Sequence, residues 1–155
     1  MRDKYFTYTE TIYYATAYLD RVIKETLKQI DKEVRGEISS EEYIILETVY
    51  LNPGLIQSEI ANKIFIQSSY ISKLLTSLEK SNYIRREQSI RGSRQVVFKI
   101  FITDDGKKVF KKIRGLIIKL MYNNETEDNS KRYKEIAQTL KSLADEIKEK
   151  NNIKF

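Results

Sequence analysis

The feature that most constrains this chain is one change of apolar period near residue 82. Gln67 to Lys80 reads QSSYISKLLTSLEK, and Ile71, Leu74, Leu75 and Leu78 fall at i, i+3, i+4 and i+7, one stripe of a helix. The rest of that helix carries Gln67, Ser68, Ser69, Tyr70, Ser72, Lys73 and Thr76, with no carboxylate until Glu79. Asn82 suits the left-handed position that ends a helix. Directly beyond it the period drops to two. Ile84 to Gln88 reads as a short strand, and Val96, Phe98, Ile100 and Ile102 alternate with Val97, Lys99, Phe101 and Thr103 in a second. Ile90-Arg91-Gly92-Ser93-Arg94 between them supplies a turn glycine and two arginines. A half-apolar, half-polar helix therefore leads straight into a basic-tipped hairpin.

Upstream, Ser39 or Ser40 caps a helix, with Glu42 in capping-box spacing from Ser39 and Tyr43, Ile44, Leu46, Val49 and Tyr50 as its buried side. Asn52-Pro53-Gly54 ends it. A short helix from Ile56 to about Ile64 follows, with Ile60, Ala61 and Ile64 inward. Ala61 is small where two helices cross, so this helix and the Gln67–Lys80 helix form a helix–turn–helix through Ala61, Ile71 and Leu74. With the hairpin next in order, the arrangement is that of a winged helix. The fold class expected is mainly α with a small β-hairpin wing.

Two long helices flank this unit. From Thr9 to Val34 apolar residues recur every three or four positions, and Gly36 stops the run. Such a helix is long for a small core, and it is read as a dimerisation element. Tyr5, Phe6, Tyr8, Tyr13, Tyr14 and Tyr18 crowd its start, fit either for a subunit interface or for a small-molecule pocket. Thr103 caps a further helix with Val109, Phe110, Ile113, Leu116, Ile117, Leu120 and Met121 on one side. After a polar loop from Asn123 to Ser130, a last helix puts Ile136, Leu140, Leu143, Ala144 and Ile147 inward. Residues 1–37 and 107–155 are thus expected to form a helical dimerisation region, and 38–106 the winged helix–turn–helix.

Charge placement bears on partners. Residues 1–62 carry 7 basic and 11 acidic groups, whereas 63–99 carry 8 basic groups against only Glu79 and Glu87. Residues 100–155 carry 13 basic and 9 acidic groups. Positive charge is densest around the polar helix face, the footprint of a polyanion binder. No cysteine and no histidine are present, which removes thiol redox chemistry, thiolate zinc sites and the commonest general base and metal ligand. No phosphate loop, nucleophile elbow or zinc-helix motif occurs, and the carboxylates at Glu41, Glu42, Asp104 and Asp105 are explained by helix starts. An enzyme is not expected, nor is a cofactor or a metal. Nothing approaches the ~20 apolar residues of a membrane span, so no membrane association is expected and the cytoplasm is the default location.

The order of elements and several segments resemble the MarR family of bacterial winged helix–turn–helix regulators. These segments are Gln57-Ser58-Glu59-Ile60-Ala61, Ser69 to Leu75, Leu78-Glu79-Lys80-Ser81-Asn82-Tyr83-Ile84-Arg85-Arg86 and Ile102-Thr103-Asp104-Asp105-Gly106. The family's Leu-Glu-Lys-x-Gly-Leu segment has Asn82 in place of glycine here, and no aspartate stands beside Ser93 and Arg94 where members often carry Asp-x-Arg. The resemblance implies a homodimer, joined through its first and last helices, that represses genes from a pseudo-palindromic operator. Many members are released by a small, often phenolic, effector. It carries recognition roles onto Ser68, Ser69, Tyr70, Ser72 and Lys73 and wing roles onto Arg91 and Arg94.

In physical terms, two recognition helices about 34 Å apart reach successive major grooves of double-stranded DNA. Gln67, Ser68, Ser69 and Ser72 suit bases or phosphates, Tyr70 a thymine methyl, and Lys73 a guanine or a phosphate. Arg91 or Arg94 suits the adjoining minor groove. Lys63, Lys80, Arg85 and Arg86 are read as phosphate neighbours or solvated charges. Tyr13, Tyr14, Tyr18 and Tyr43 are candidate lining for an effector pocket. The rival reading is a winged-helix adaptor that docks on protein and binds DNA only weakly and without sequence preference.

Overall fold

The computed structural model describes residues 6–34, 37–92, 95–121 and 127–153. Tyr5, Gly36, Ser93, Arg94 and residues 122–126 lie outside them, as do the side chains of Phe6, Tyr8 and Met121. The elements run α1 (Phe6–Glu33), α2 (Ser40–Leu51), β1 (Leu55–Ile56), α3 (Gln57–Ile64), α4 (Ser68–Lys80), β2 (Ile84–Arg91), β3 (Gln95–Ile102), α5 (Asp104–Met121) and α6 (Glu127–Lys150). A mainly helical chain with one small antiparallel wing is the fold class expected. Contacts divide it into two compact units, residues 1–40 and 41–155.

In the first unit, α1 extends three residues earlier than its sequence period indicated, to Phe6. Lys24 with Asp20 and Lys28 with Glu25, each 2.7 Å apart, lace its solvated face. Ile12, Leu19 and Val22 are exposed on it together with the tyrosines.

The second unit is built around α4. Ile71, Leu74, Leu75 and Leu78 are buried, as their spacing requires, with Ile60 and Ala61 of α3 and Ile45, Leu46 and Val49 of α2. Here α2 differs from expectation: Ile45 is fully buried and Ile44 is 42% exposed. Four apolar residues in succession leave helical period unable to choose between neighbours, and packing chose Ile45. Tyr43 and Tyr50 face Phe110 of α5, with ring centroids 5.7 and 4.7 Å apart.

Phe65, with φ 56, makes the left-handed turn between α3 and α4, and the amide of Ile66 donates to the carbonyl of Ala61. The end of α4 is a full Schellman closure. Asn82 has φ 59, its amide donates to Glu79, and the amide of Tyr83 donates to Leu78.

Leu55 and Ile56 form a two-residue strand that the helical reading of Ile56 missed. They pair with Ile100 and Lys99, so the sheet has three strands in the order β1-β3-β2. The hairpin arms are also longer than expected. β2 continues past Gln88 to Arg91, which pairs with Gln95.

The apolar stripe of α6 is not covered within one chain. Ile136, Leu140 and Ile147, expected to face inward, are 43, 40 and 48% exposed; Leu143 is half-buried and Ala144 exposed. In α5, Phe110 and Ile113 are buried, whereas Leu120 is exposed.

Candidate nucleic-acid interface

Burying four apolar residues on one side of α4 fixes what its other side presents. Gln67 is the N-cap, in extended conformation, and its carbonyl accepts from the amides of Tyr70 and Ile71. Its side chain makes no capping bond, so both it and the first serines remain exposed. Ser68, Ser69, Tyr70, Ser72 and Lys73 all lie on this exposed face. The Tyr70 ring is 45% exposed. One turn on, Ser72, Lys73, Thr76, Ser77 and Lys80 line a shallow hollow, so Lys80 shares one surface with Ser72 and Lys73. Chemically, this face offers hydroxyl donors and acceptors, an amide, a phenol and two ammonium groups. It suits a ligand that combines hydrogen-bonding edges with negative charge.

A further contact anchors the start of the helix. Gln57 of α3 donates from Nε2 to the carbonyl of Ser68 over 3.4 Å. No local period reports such a link, because its partners are eleven residues apart on different helices.

The wing contributes Arg91, the last residue of β2, with Gly92 at φ 62 starting the turn. Its Nη1 lies 3.5 Å from Oε1 of Glu59 in α3. The other oxygen of Glu59 accepts the amide of Ile56 over 3.0 Å, capping α3 from its N3 position. Glu59, 32 positions earlier in the chain, thus braces Arg91, whereas the missing aspartate noted in the sequence concerns Arg94. Arg94 lies outside the described residues.

The outlying cations divide. Lys63 and Lys80 are exposed, in the last turns of α3 and α4. Arg85 and Arg86 are engaged within the protein. Arg85 forms an ion pair with Glu87, and its guanidinium lies 5.0 Å from the Phe101 ring centroid. Arg86 is half-buried, with Nε 3.2 Å from Oε2 of Glu79. That contact lacks hydrogen-bond geometry, so Nε and Nη2 are buried without hydrogen-bond partners among the described residues. Arg86 therefore joins the end of α4 to the root of the wing and is not a solvated charge.

The four tyrosines read as pocket lining are placed differently. Tyr13, Tyr14 and Tyr18 are 70, 69 and 73% exposed on α1, the first two meeting edge-on at 6.0 Å. Tyr43 is 7% exposed, stacked on Phe110 and 3.4 Å from a Glu47 carboxylate oxygen. Among the described residues no cluster of metal-binding side chains occurs, and no helix is long and apolar enough to cross a membrane.

The MarR family model matches residues 38–96, from the start of α2 to the outer wing. The HTH-type transcriptional regulator TtmR of Methylorubrum extorquens is 34% identical over 71 residues, covering 46% of this chain and 35% of that protein. The chain thus spans about a third of that relative's length. Reduced AbfR bound to DNA has the same fold with a TM-score of 0.66, at 18% identity over 93% of this chain and 99% of that one. Staphylococcus aureus MarR in complex with salicylate and kanamycin superposes with a TM-score of 0.70, at 16% identity over 91% and 95% of the two chains. The segment similar to the MarR family thus coincides with the helix–turn–helix and wing, and the fold is shared with these solved proteins along nearly the whole length.

Proposed function

We propose that this protein is a transcriptional regulator that binds double-stranded DNA sequence-specifically as a homodimer, repressing from a pseudo-palindromic operator in the cytoplasm. One observation carries the reading: an exposed helix face of uncharged hydrogen-bonding groups and lysines, held beside an arginine-bearing wing. Such a face can read base edges in the major groove while the wing arginine enters the adjoining minor groove. The relatives support it. TtmR is named a transcriptional regulator, and AbfR has been solved on DNA. The dimer would cover the exposed stripe of α6 with a second copy, in accord with a dimerisation role for 1–37 and 107–155.

Release by a small organic, phenolic-type effector completes the proposal; salicylate occupies the S. aureus MarR structure. A disulfide like the one formed in AbfR cannot be built from these residues, because they include no cysteine. Any effector must bind one spacing of the recognition helices better than another, since only a difference in affinity shifts an equilibrium.

Selection of bound duplexes from a random pool tests the function. The expected result is an inverted repeat with half-sites one helical turn apart, bound with a steep salt dependence. Retention that is weak and indifferent to sequence would overturn it in favour of a protein-docking adaptor.

A further inference from the structure

We propose that Glu59 is a specificity-determining positioning residue: it orients Arg91, so that the wing meets DNA as an aimed set of donors and not as a free cation. The inference rests on the DNA-binding reading above. Its basis is a carboxylate with two separate engagements. Oε2 accepts the Ile56 amide over 3.0 Å, and Oε1 faces Nη1 of Arg91 at 3.5 Å. The first bond fixes the carboxylate, so little further freedom is lost in presenting the second oxygen to the arginine. Arg91 is fixed from its own side, its backbone paired with Gln95 at the end of the hairpin.

The guanidinium carries five N–H donors in a rigid plane. Contact through Nη1 leaves Nε and Nη2 outside that pair, and the Arg91 side chain is 62% exposed. A braced arginine can thus point its remaining donors outward without first losing its rotamer freedom. The carboxylate also offsets part of the arginine's charge, which weakens attraction to any phosphate regardless of sequence. Both effects act in one direction. Aiming favours the DNA whose groove fits, and offsetting charge disfavours the rest.

The pair also bridges two parts of the interface. Glu59 belongs to the first helix of the helix–turn–helix, and Arg91 to the wing. Between them lies a small hollow that Gly54, Ser89, Val97 and Lys99 help to line. Wing and helix–turn–helix thereby keep one registration.

The test compares wild type, Glu59→Gln, Glu59→Asp, Arg91→Ala and the Glu59→Gln/Arg91→Ala double variant. Each is titrated with the duplex selected by wild type and with a random duplex. Gln keeps an oxygen to accept the Ile56 amide, so thermal unfolding should stay unchanged while the ion pair is lost. Expected for E59Q is tighter binding to random DNA, a steeper salt dependence, and a fall of about two- to fivefold in the selected-to-random affinity ratio, the scale of an exposed pair. E59D keeps the charge but shortens the reach, and should lower the ratio without raising net charge. It also serves should E59Q lose stability. In the R91A background, E59Q should leave the ratio unmoved. An unchanged ratio in E59Q and E59D, or an equal fall with and without Arg91, overturns the proposal. Wild type that selects no duplex would instead remove the DNA-binding reading itself.

Discussion

The hydroxyl of Thr103, at the start of α5, donates to the backbone carbonyl of Asn82, at the end of α4, over 2.5 Å. Around it the Thr103 amide donates to Tyr83, the Asn82 side-chain amide to Asp105, and the Gly106 amide to the Thr103 oxygen. The left-handed end of α4 and the capped start of α5 are one joint. A Cβ on Gly106 would stand 2.0 Å from the Tyr83 carbonyl oxygen and 2.9 Å from Ile102. Gly106→Ala should therefore destabilise the fold by about 1–3 kcal/mol, the usual cost of overpacking. Urea denaturation measures it, and a variant as stable as wild type would show that the joint can open without cost.

On the exposed face of α4, substitutions should leave stability alone and change sequence preference. Ser69→Ala and Lys73→Ala remove groups that carry no core packing. Each lost base contact should alter discrimination at one operator position by about 1–3 kcal/mol. Affinities ranked over single-base variants of the selected site check this; a uniform loss at every position would reassign the residue to phosphate.

For the wing the salt dependence should change as well. Arg91→Ala and Arg94→Ala should weaken binding to every duplex, the Arg91 variant losing most on the selected one, and reduce the slope of log affinity against log salt by about 1 each. Salt titration from low to physiological ionic strength measures the slope, and unchanged slopes would take both arginines out of the groove.

Over α6, the exposed stripe predicts its own cover. Leu140→Glu and Ile147→Glu place charge where a second copy is expected to pack, at residues 40 and 48% exposed in one chain. Light scattering should move from a dimer toward the 18.3 kDa of one chain, with helical circular dichroism retained. A wild-type protein already at that mass would remove the dimer.

Around neutrality, pH should matter little. With neither histidine nor cysteine, no side-chain type present has an ordinary pKa between about 5 and 9, so affinity at fixed ionic strength should be flat from about pH 6 to 8. Asp104 behaves differently. Lys107 donates to its carboxylate over 3.1 Å and, with its charge, holds that carboxyl below the usual aspartate value. A lowered folded-state pKa gives stability that is complete above the unfolded value, near ~3.9, and is lost as pH falls through the folded one. Asp104→Asn should thus change unfolding above that window and converge on wild type in stronger acid.

Much of this was legible in the sequence because one face of each element is buried and writes a period. The α4 stripe, the left-handed Asn82 and the Thr103 cap all lie where the residues point. What escaped depended on distance along the chain or on absent contrast. β1 is too short to alternate and exists because β3 offers Ile100 and Lys99 as partners. The outer half of β2, from Gln88 to Arg91, carries a pattern that only its pairing with Gln95 to Phe98 explains. Arg85 and Arg86 read as loose charges until Phe101, Glu87 and Glu79 came beside them. Likewise the Glu59–Arg91 brace joins residues with no shared local signal.

The strand order β1-β3-β2 has one more consequence. Among the described residues β2 pairs only with β3, so its outer side is open for another strand to add to it. Near its tip Ile90 is 74% exposed, with Val96 and Phe98 of β3 at 50 and 53%, a greasy surface on a finger projecting into solvent. Arg85, Glu87 and Arg91 stand along that same rim, and a neighbouring hairpin would have to strip water from each of them to zip on. The charges along that rim thereby keep crowded copies of the finger from gluing edge to edge.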